Sequence, residues 1–299
     1  MQSNRPIWEK LGTKLKMGLQ FCPEADWLPL RDVLGQSTSR QHQIALKNNL
    51  FDTHNSDVFA TTCLADEPSH ETLRLVEAYS KRYLNVVLPK PVDTHPLQTA
   101  ARAIPEDLAI ISPVKSTGTN ANDWLLTAGA IAFPAHWILK DKIGKPMTTV
   151  HDPVPNYKIS LDMPVNRFFN NMKSGPISCR FNWSLQHGNN LFTPHRSDRQ
   201  KTDNDTEIQD IYVRIERQTL RKLPKSGHIL FTIRTNLQSL GEWVETEGAL
   251  ASLWQMLNDL PEAYRLYKGA ALYEDTIRRA ANICVGKKTR LKADLSPKQ

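Results

Sequence analysis

The hydrophobic pattern changes period several times along the chain, and the changes divide it into segments. Residues 1–35, interrupted by Pro6, Pro23 and Pro29, hold no sustained period and read as irregular. Ser37 and Ser39 then precede Ile44, Ala45 and Leu46. This predicts a helix over 37–50, because a Ser oxygen can accept a bond from one of the unpaired N–H groups of a first helical turn. From Glu71 to Leu88 a period near 3.6 puts Leu73, Val76, Ala78, Tyr79, Tyr83, Leu84 and Val87 on or near one face, with Lys81 and Arg82 outside it. Pro89 and Pro91 end that helix.

Beyond residue 100 the period shortens. Leu108–Ser112 reads as a short buried strand, and Trp124–Phe133, bounded by Asp123 and Pro134, as another. Leu161, Val165, Phe168, Phe169 and Met172 predict an amphipathic helix over 160–173, followed by a strand over Cys179–Leu185. Residues 186–210 are polar and aperiodic, the pattern of an exposed loop. The clearest unit is a β-hairpin: Ile211–Leu223 and His228–Leu240 are rich in β-branched residues, and Pro224–Gly227 lies between them. Helices are expected over 247–260 and, after Pro261, over 270–284. With no internal repeat or low-complexity linker, residues 1–284 form one expected domain and 285–299 a basic, disordered tail. Helices followed by strands, a helix, a hairpin and helices point to an α+β fold with an antiparallel sheet.

Composition sharpens the picture at a few points. The chain has 299 residues, enough for a sizeable core. Its formal net charge is +7, which raises nucleic acid, an anionic membrane and a small anionic ligand as partners. The excess is local. Residues 285–299 carry +4 (Lys287, Lys288, Arg290, Lys292 and Lys298 against Asp294), and residues 214–225 carry +4 (Arg214, Arg217, Arg221, Lys222 and Lys225 against Glu216). The rest is close to neutral, so nucleic acid is a poor partner for the surface as a whole. No run approaches the ~20 apolar residues of a membrane helix, and Met1–Lys16 lacks an apolar signal core. A cytoplasmic protein without a membrane partner is the expectation. Cys22, Cys63, Cys179 and Cys284 are far apart and form no CxxC pair, which excludes zinc-ribbon and common iron–sulfur motifs. Glycine-rich nucleotide cradles, GxSxG and HExxH are also absent.

Three features could carry chemistry. His151 stands in Val150-His-Asp-Pro-Val-Pro155. Each proline favours extended or polyproline geometry in the residue before it, so an imidazole presented from a stiff segment could ligate a metal or a heme iron; the alternative is a core or surface histidine beside a rigid turn. His136, before Trp137, is a second candidate. In the hairpin, alternation puts Arg217, Thr219 and Arg221 on one face and Arg214, Glu216 and Gln218 on the other, with Arg234 on the partner strand. Such guanidinium groups suit ligand carboxylates, or a salt-bridged strand face. Asn182 and Trp183 end a strand, where Trp serves core packing or stacking.

The run Val213–Gly227 with Ile229–Thr235, Phe133–Trp137, Lys142-Ile-Gly144, His151-Asp-Pro-Val-Pro155, Arg180-Phe-Asn182-Trp183-Ser184 and Tyr267-Lys-Gly269 occur in an order that resembles the heme-dependent oxidative N-demethylase family, over roughly residues 17–270. The resemblance implies a PAS-like antiparallel sheet with flanking helices and terminal helical extensions, holding heme b. It implies hydroxylation, with O2, of an N-methyl group on a small secondary amine, and collapse to amine and formaldehyde. Electrons would come from a flavin and iron–sulfur reductase subunit; FMN, the iron–sulfur cluster and tetrahydrofolate belong to partner subunits. His151 becomes the expected iron ligand, Arg217, Arg221 and Arg234 propionate or pocket residues, and Asn182 and Trp183 pocket lining. Leu30, Leu34 and Asn236 stand where aromatic residues are expected, which keeps open a non-catalytic heme or small-ligand sensing module.

Overall fold

The computed structural model describes residues 6–11, 17–29, 39–88, 93–115, 122–195 and 206–294. In chain order these form α1 (Ile7–Leu11), β1 (Gln20–Cys22), α2 (Arg40–Thr53), α3 (Asn55–Val58), β2 (Phe59–Thr61), α4 (Asp66–Tyr79) and α5 (Pro96–Arg102). Then come β3 (Asp107–Lys115), β4 (Asn122–Ala130), α6 (Met147–Val150), α7 (Tyr157–Ser160), α8 (Asp162–Asn171), β5 (Ile177–His187), β6 (Ile211–Lys222) and β7 (Ile229–Ser239). The chain continues through α9 (Ala249–Asp259), α10 (Glu262–Tyr267) and α11 (Ala270–Asp294). The fold class is α+β. Its seven strands pair antiparallel throughout, in the order β1-β5-β6-β7-β3-β4-β2.

The long elements stand where the pattern puts them. The Ser39 side chain accepts from His42 N and caps α2. The hairpin is β6–β7, with Tyr212 opposite Ser239 and Lys222 opposite Ile229. Glu71 closes its turn by accepting from Lys225 N at 2.7 Å and Ser226 N at 3.0 Å. Several boundaries differ. α4 begins at Asp66, since Pro68 lies in a first turn that needs no N–H from it. It gives way at Ser80 to a π-turn ending at Asn85, whose φ is +54°. Strand β5 runs to His187, into the segment read as loop; residues 196–205 lie outside the described residues. α11 runs past 284 to Asp294, and 295–299 lie outside the described residues. β1, β2, α3 and α5–α7 have no counterpart in the pattern, because three to seven residues cannot establish a period.

Alternation along the strands sorts side chains onto two faces. One face packs against two apolar clusters. The first joins Leu108, Ile110, Ile177 and Leu230 to α2, α4, α5 and the segment around Trp27. The second joins Trp183, Leu185, Val213 and Ile215 to α1, α9 and α11. On the opposite face Ala109, Ile111, Trp124, Leu126, Leu220 and Ile229 pack with Met147 of α6, Phe169 of α8 and Met172. The α6–α8 segment, inserted between β4 and β5, therefore covers that second face.

Candidate functional site

The second face is incompletely filled at its centre. Register makes Arg180, Gln218 and Ile233 one cross-strand row, and Asn182, Glu216 and Thr235 the next. Leu220 and Phe231 share their face. Arg180, Asn182, Glu216, Gln218, Phe231 and Ile233 are all half-buried although they lie on inner strands, whereas Thr219, Thr232, Arg217 and Arg234 behind them are buried. Neighbouring Leu220, Ile229, Ala109 and Thr235 are also buried. The result is a half-buried patch with an apolar part (Phe231, Ile233) and a polar part (Arg180, Asn182, Glu216, Gln218).

His151 lies at the end of α6, with φ −98°, and not in an extended polyproline stretch. Residues 151–156 are turns, closed by Val154 N to His151 O at 2.8 Å and Tyr157 N to Val154 O at 3.2 Å. Those turns draw on N–H groups that Pro153 and Pro155 do not need to supply, which is how the prolines are accommodated. The ring is fixed in two ways. Its Nδ1 donates to Met147 O at 2.8 Å, and it stacks on Tyr157 with centroids 4.4 Å apart and planes 5° from parallel. Because a carbonyl only accepts, Nδ1 carries the proton and Nε2 of the neutral ring offers a lone pair. Burial holds the imidazole pKa below its ordinary value, the Met147 bond opposes this, and the charge of Arg180 pushes the same way as burial. Tyr157 is buried, its hydroxyl has no hydrogen-bond partner, and burial raises its pKa.

The polar part of the patch centres on Glu216, which accepts from Asn182 Nδ2 at 3.2 Å and Gln218 Nε2 at 2.9 Å. Arg214 Nε stands 3.6 Å away. From α10's end, Lys268 Nζ donates to Asn182 Oδ1 at 2.7 Å and Trp183 O at 2.6 Å. Burial pushes the Lys268 ammonium down to about 8, Glu216 opposing and Arg180 adding to the shift. Arg180 is also lowered by burial, against the pull of Glu216, and its Nε is buried with no hydrogen-bond partner. Tyr264 donates to Pro155 O at 2.7 Å, tying α10 to the turn that follows His151.

The other expected site residues lie elsewhere. Arg217 is buried on the far face, donating to Trp27 O at 3.1 Å, to Asp26 O at 2.5 Å and to Cys22 Sγ at 3.2 Å. Arg221 pairs with Glu24 at 3.1 Å and lies 4.3 Å over the Trp27 ring. Arg234 faces Glu106 at 3.9 Å, beside the buried Lys47–Asp107 pair at 3.0 Å. These three guanidinium groups organise the amino-terminal half. Trp183 is core on the same far face, so alternation separates it from its neighbour Asn182. His136, at φ +61°, contacts His195 O through Nδ1 at 3.1 Å. Leu30 and Leu34 lie outside the described residues, and Asn236 is buried in the far-face row with Ile215 and Trp183.

Of the predicted set, the structure brings His151 and Asn182 to one side of the sheet. It adds Arg180, Tyr157, Glu216, Gln218 and Lys268, which the pattern did not single out. Arg180 was readable, since it stands two residues before Asn182 and must share its face. Tyr157 carried no such signal. No group of three or more His, Cys, Asp or Glu able to hold a bare metal ion occurs among the described residues, and His151 presents one imidazole. Residues 77–278 match the family described as "Haem-dependent oxidative N-demethylase, alpha subunit-like".

Proposed function

The chain belongs to the heme-dependent oxidative N-demethylase, alpha subunit-like family, and from that membership we propose that it holds heme b against the half-buried sheet face and oxidatively demethylates a small methylated amine. The observation that carries the reading is His151: a neutral imidazole, locked by Met147 O and Tyr157, with Nε2 left to ligate. One imidazole suits an iron whose remaining equatorial ligands come from a porphyrin. Phe231 and Ile233 supply an apolar floor for such a ring, and the strand order β4-β3-β7-β6-β5, with helices inserted between β4 and β5, supports a PAS-like scaffold.

Bound heme would supply the oxidising power for O2 chemistry. Overall, the N-methyl group, O2, two electrons and two protons give a carbinolamine and water, and the carbinolamine separates into amine and formaldehyde. The electrons come from a partner reductase with flavin and an iron–sulfur centre. The chain's own residues act around this. His151 keeps its proton on Nδ1 through Met147 O, so the ligating nitrogen stays basic. Glu216, bonded to Asn182 and Gln218, holds the only carboxylate of the polar patch and can face an ammonium group of the amine. Tyr264 and Lys268 fix α10 against the His151 turn and β5.

Absorption spectroscopy of the purified protein titrated with hemin tests the reading. A Soret band that disappears or shifts in His151→Ala is expected, together with formaldehyde release from dimethylamine when an electron donor is supplied. No Soret band in the wild type would overturn it; gas binding without formaldehyde would favour the sensing module.

A further inference from the structure

The polar patch carries more positive charge than its own residues neutralise. Arg180, Arg214 and Lys268 all face Glu216; Arg214 also faces Asp107, which is itself paired with Lys47. Glu216 is already engaged by Asn182, Gln218 and Arg214. Arg214 gives its two terminal nitrogens to Gln186 Oε1, Leu191 O and Phe133 O. Asp162, on the α8 side, is occupied by Thr148 at 2.6 Å and Asn166 at 3.3 Å. Arg180 is different: none of its guanidinium nitrogens bonds to the described residues, and its Nε is buried without a partner although the residue as a whole is half-buried. Tyr157, 4% exposed and within electrostatic reach of Arg180, also has a hydroxyl with no partner. Lys268 uses two of its three donors. Buried donors without acceptors are costly, and these converge on one side of the sheet.

We propose that Arg180, supported by the Tyr157 hydroxyl and Lys268, is a carboxylate-binding subsite on this half-buried sheet face. A guanidinium fork matches a carboxylate bidentately, and a phenol adds one donor. One added negative charge would offset the local cation excess and satisfy the orphaned donors. Two sources share this chemistry: a porphyrin propionate, or the acid group of a substrate that is an N-methylated amino acid rather than a simple amine. The first source rests on the heme reading; the second requires only this sheet face.

The test uses the full-length protein and metal-free protoporphyrin IX, which carries the propionates without an iron. Fluorescence titration should show Arg180→Gln weakening its binding roughly tenfold or more, the cost of losing a charged hydrogen bond. Arg180→Lys should recover part of this, and protoporphyrin IX dimethyl ester should not distinguish wild type from Arg180→Gln. That set assigns the propionate. Alternatively, unchanged porphyrin binding with roughly tenfold weaker calorimetric binding of N,N-dimethylglycine, and no change for dimethylamine, assigns the substrate. Unaltered affinity in Arg180→Gln for both probes, or no measurable binding of either to the wild type, overturns the subsite. Hemin titration of His151→Ala keeps the two readings apart: losing only the Soret band there bears on the iron ligand, whereas losing porphyrin affinity in Arg180→Gln bears on the carboxylate. Arg180→Gln breaks no hydrogen bond to the described residues, so an unchanged thermal melt should accompany either result.

Discussion

The imidazole of His151 and the phenol of Tyr157 lie face to face, 4.4 Å between centroids and 5° from parallel. The two residues bracket the double-proline turn, so one ring of a short helix braces the other. The Tyr157 hydroxyl takes no part in this and has no partner of its own.

That separation of ring and hydroxyl makes a prediction. Without ligand, Tyr157→Phe should unfold in urea at or slightly above the wild-type midpoint, since an unpaired buried hydroxyl contributes nothing favourable. Tyr157→Ala should lose about 3 kcal/mol through the cavity it leaves. A Tyr157→Phe loss as large as that of Tyr157→Ala would contradict the assignment of the hydroxyl as unpartnered.

Arg217 should behave as a structural residue. Arg217→Met removes the donors that hold Trp27 O and Asp26 O and leaves buried carbonyls unsatisfied, at a cost of about 2–4 kcal/mol. The same variant, refolded or at low temperature, should titrate with hemin like the wild type. A heme-binding defect without a stability defect would return Arg217 to the site.

Lys268 gives a pH dependence with a defined sign. Its folded pKa is about 8, against 10.5 for the ordinary group. Between these values the unfolded chain binds the extra proton, so this group's contribution raises stability as pH climbs from about 8 to about 10.5. Cys22 opposes it: burial raises its thiol from 9.0 to about 11, so the folded state retains a proton that the unfolded chain releases, and stability falls across that window. The difference in urea midpoint between Lys268→Met and wild type should therefore change steadily between pH 8 and 10.5, in favour of wild type. A pH-independent difference would show that Lys268 is not perturbed.

Gly269 is fixed by geometry. Its φ is +77°, and a Cβ there would stand 2.9 Å from Leu185 O. Gly269→Ala should cost about 1–2 kcal/mol for the left-handed conformation alone, with a further loss from the contact. Thermal melts measure the total. Because Lys268 O accepts from Leu185 N at 2.9 Å, the variant should also weaken any ligand binding that depends on Lys268.

Much of the architecture is legible in one dimension. Long periods report long elements: α2, α8, α9 and the β6–β7 hairpin lie close to where Ile44–Leu46, Leu161–Met172, 247–260 and Ile211–Leu240 put them. The ordered motifs from Phe133 to Gly269 also point to the family without any coordinates. Elements as short as β1, β2, α6 and α7 are invisible, because so few residues define no period and their existence depends on what they pack against.

The site divides along the same line. From the sequence alone follow the α+β class, the antiparallel hairpin, the local nature of the basic charge, and His151 as the histidine to test. Alternation even states that Arg217 and Gln218 must face opposite ways. Only the tertiary structure decides which of those faces is buried and which is left half-buried, because that depends on where α6–α8 and the segment around Trp27 dock. Once Trp27 and Glu24 cover one side, Arg217 and Arg221 contact protein atoms there. Arg180, in a neighbouring strand with the other parity, is left on the half-buried face with a donor still to satisfy.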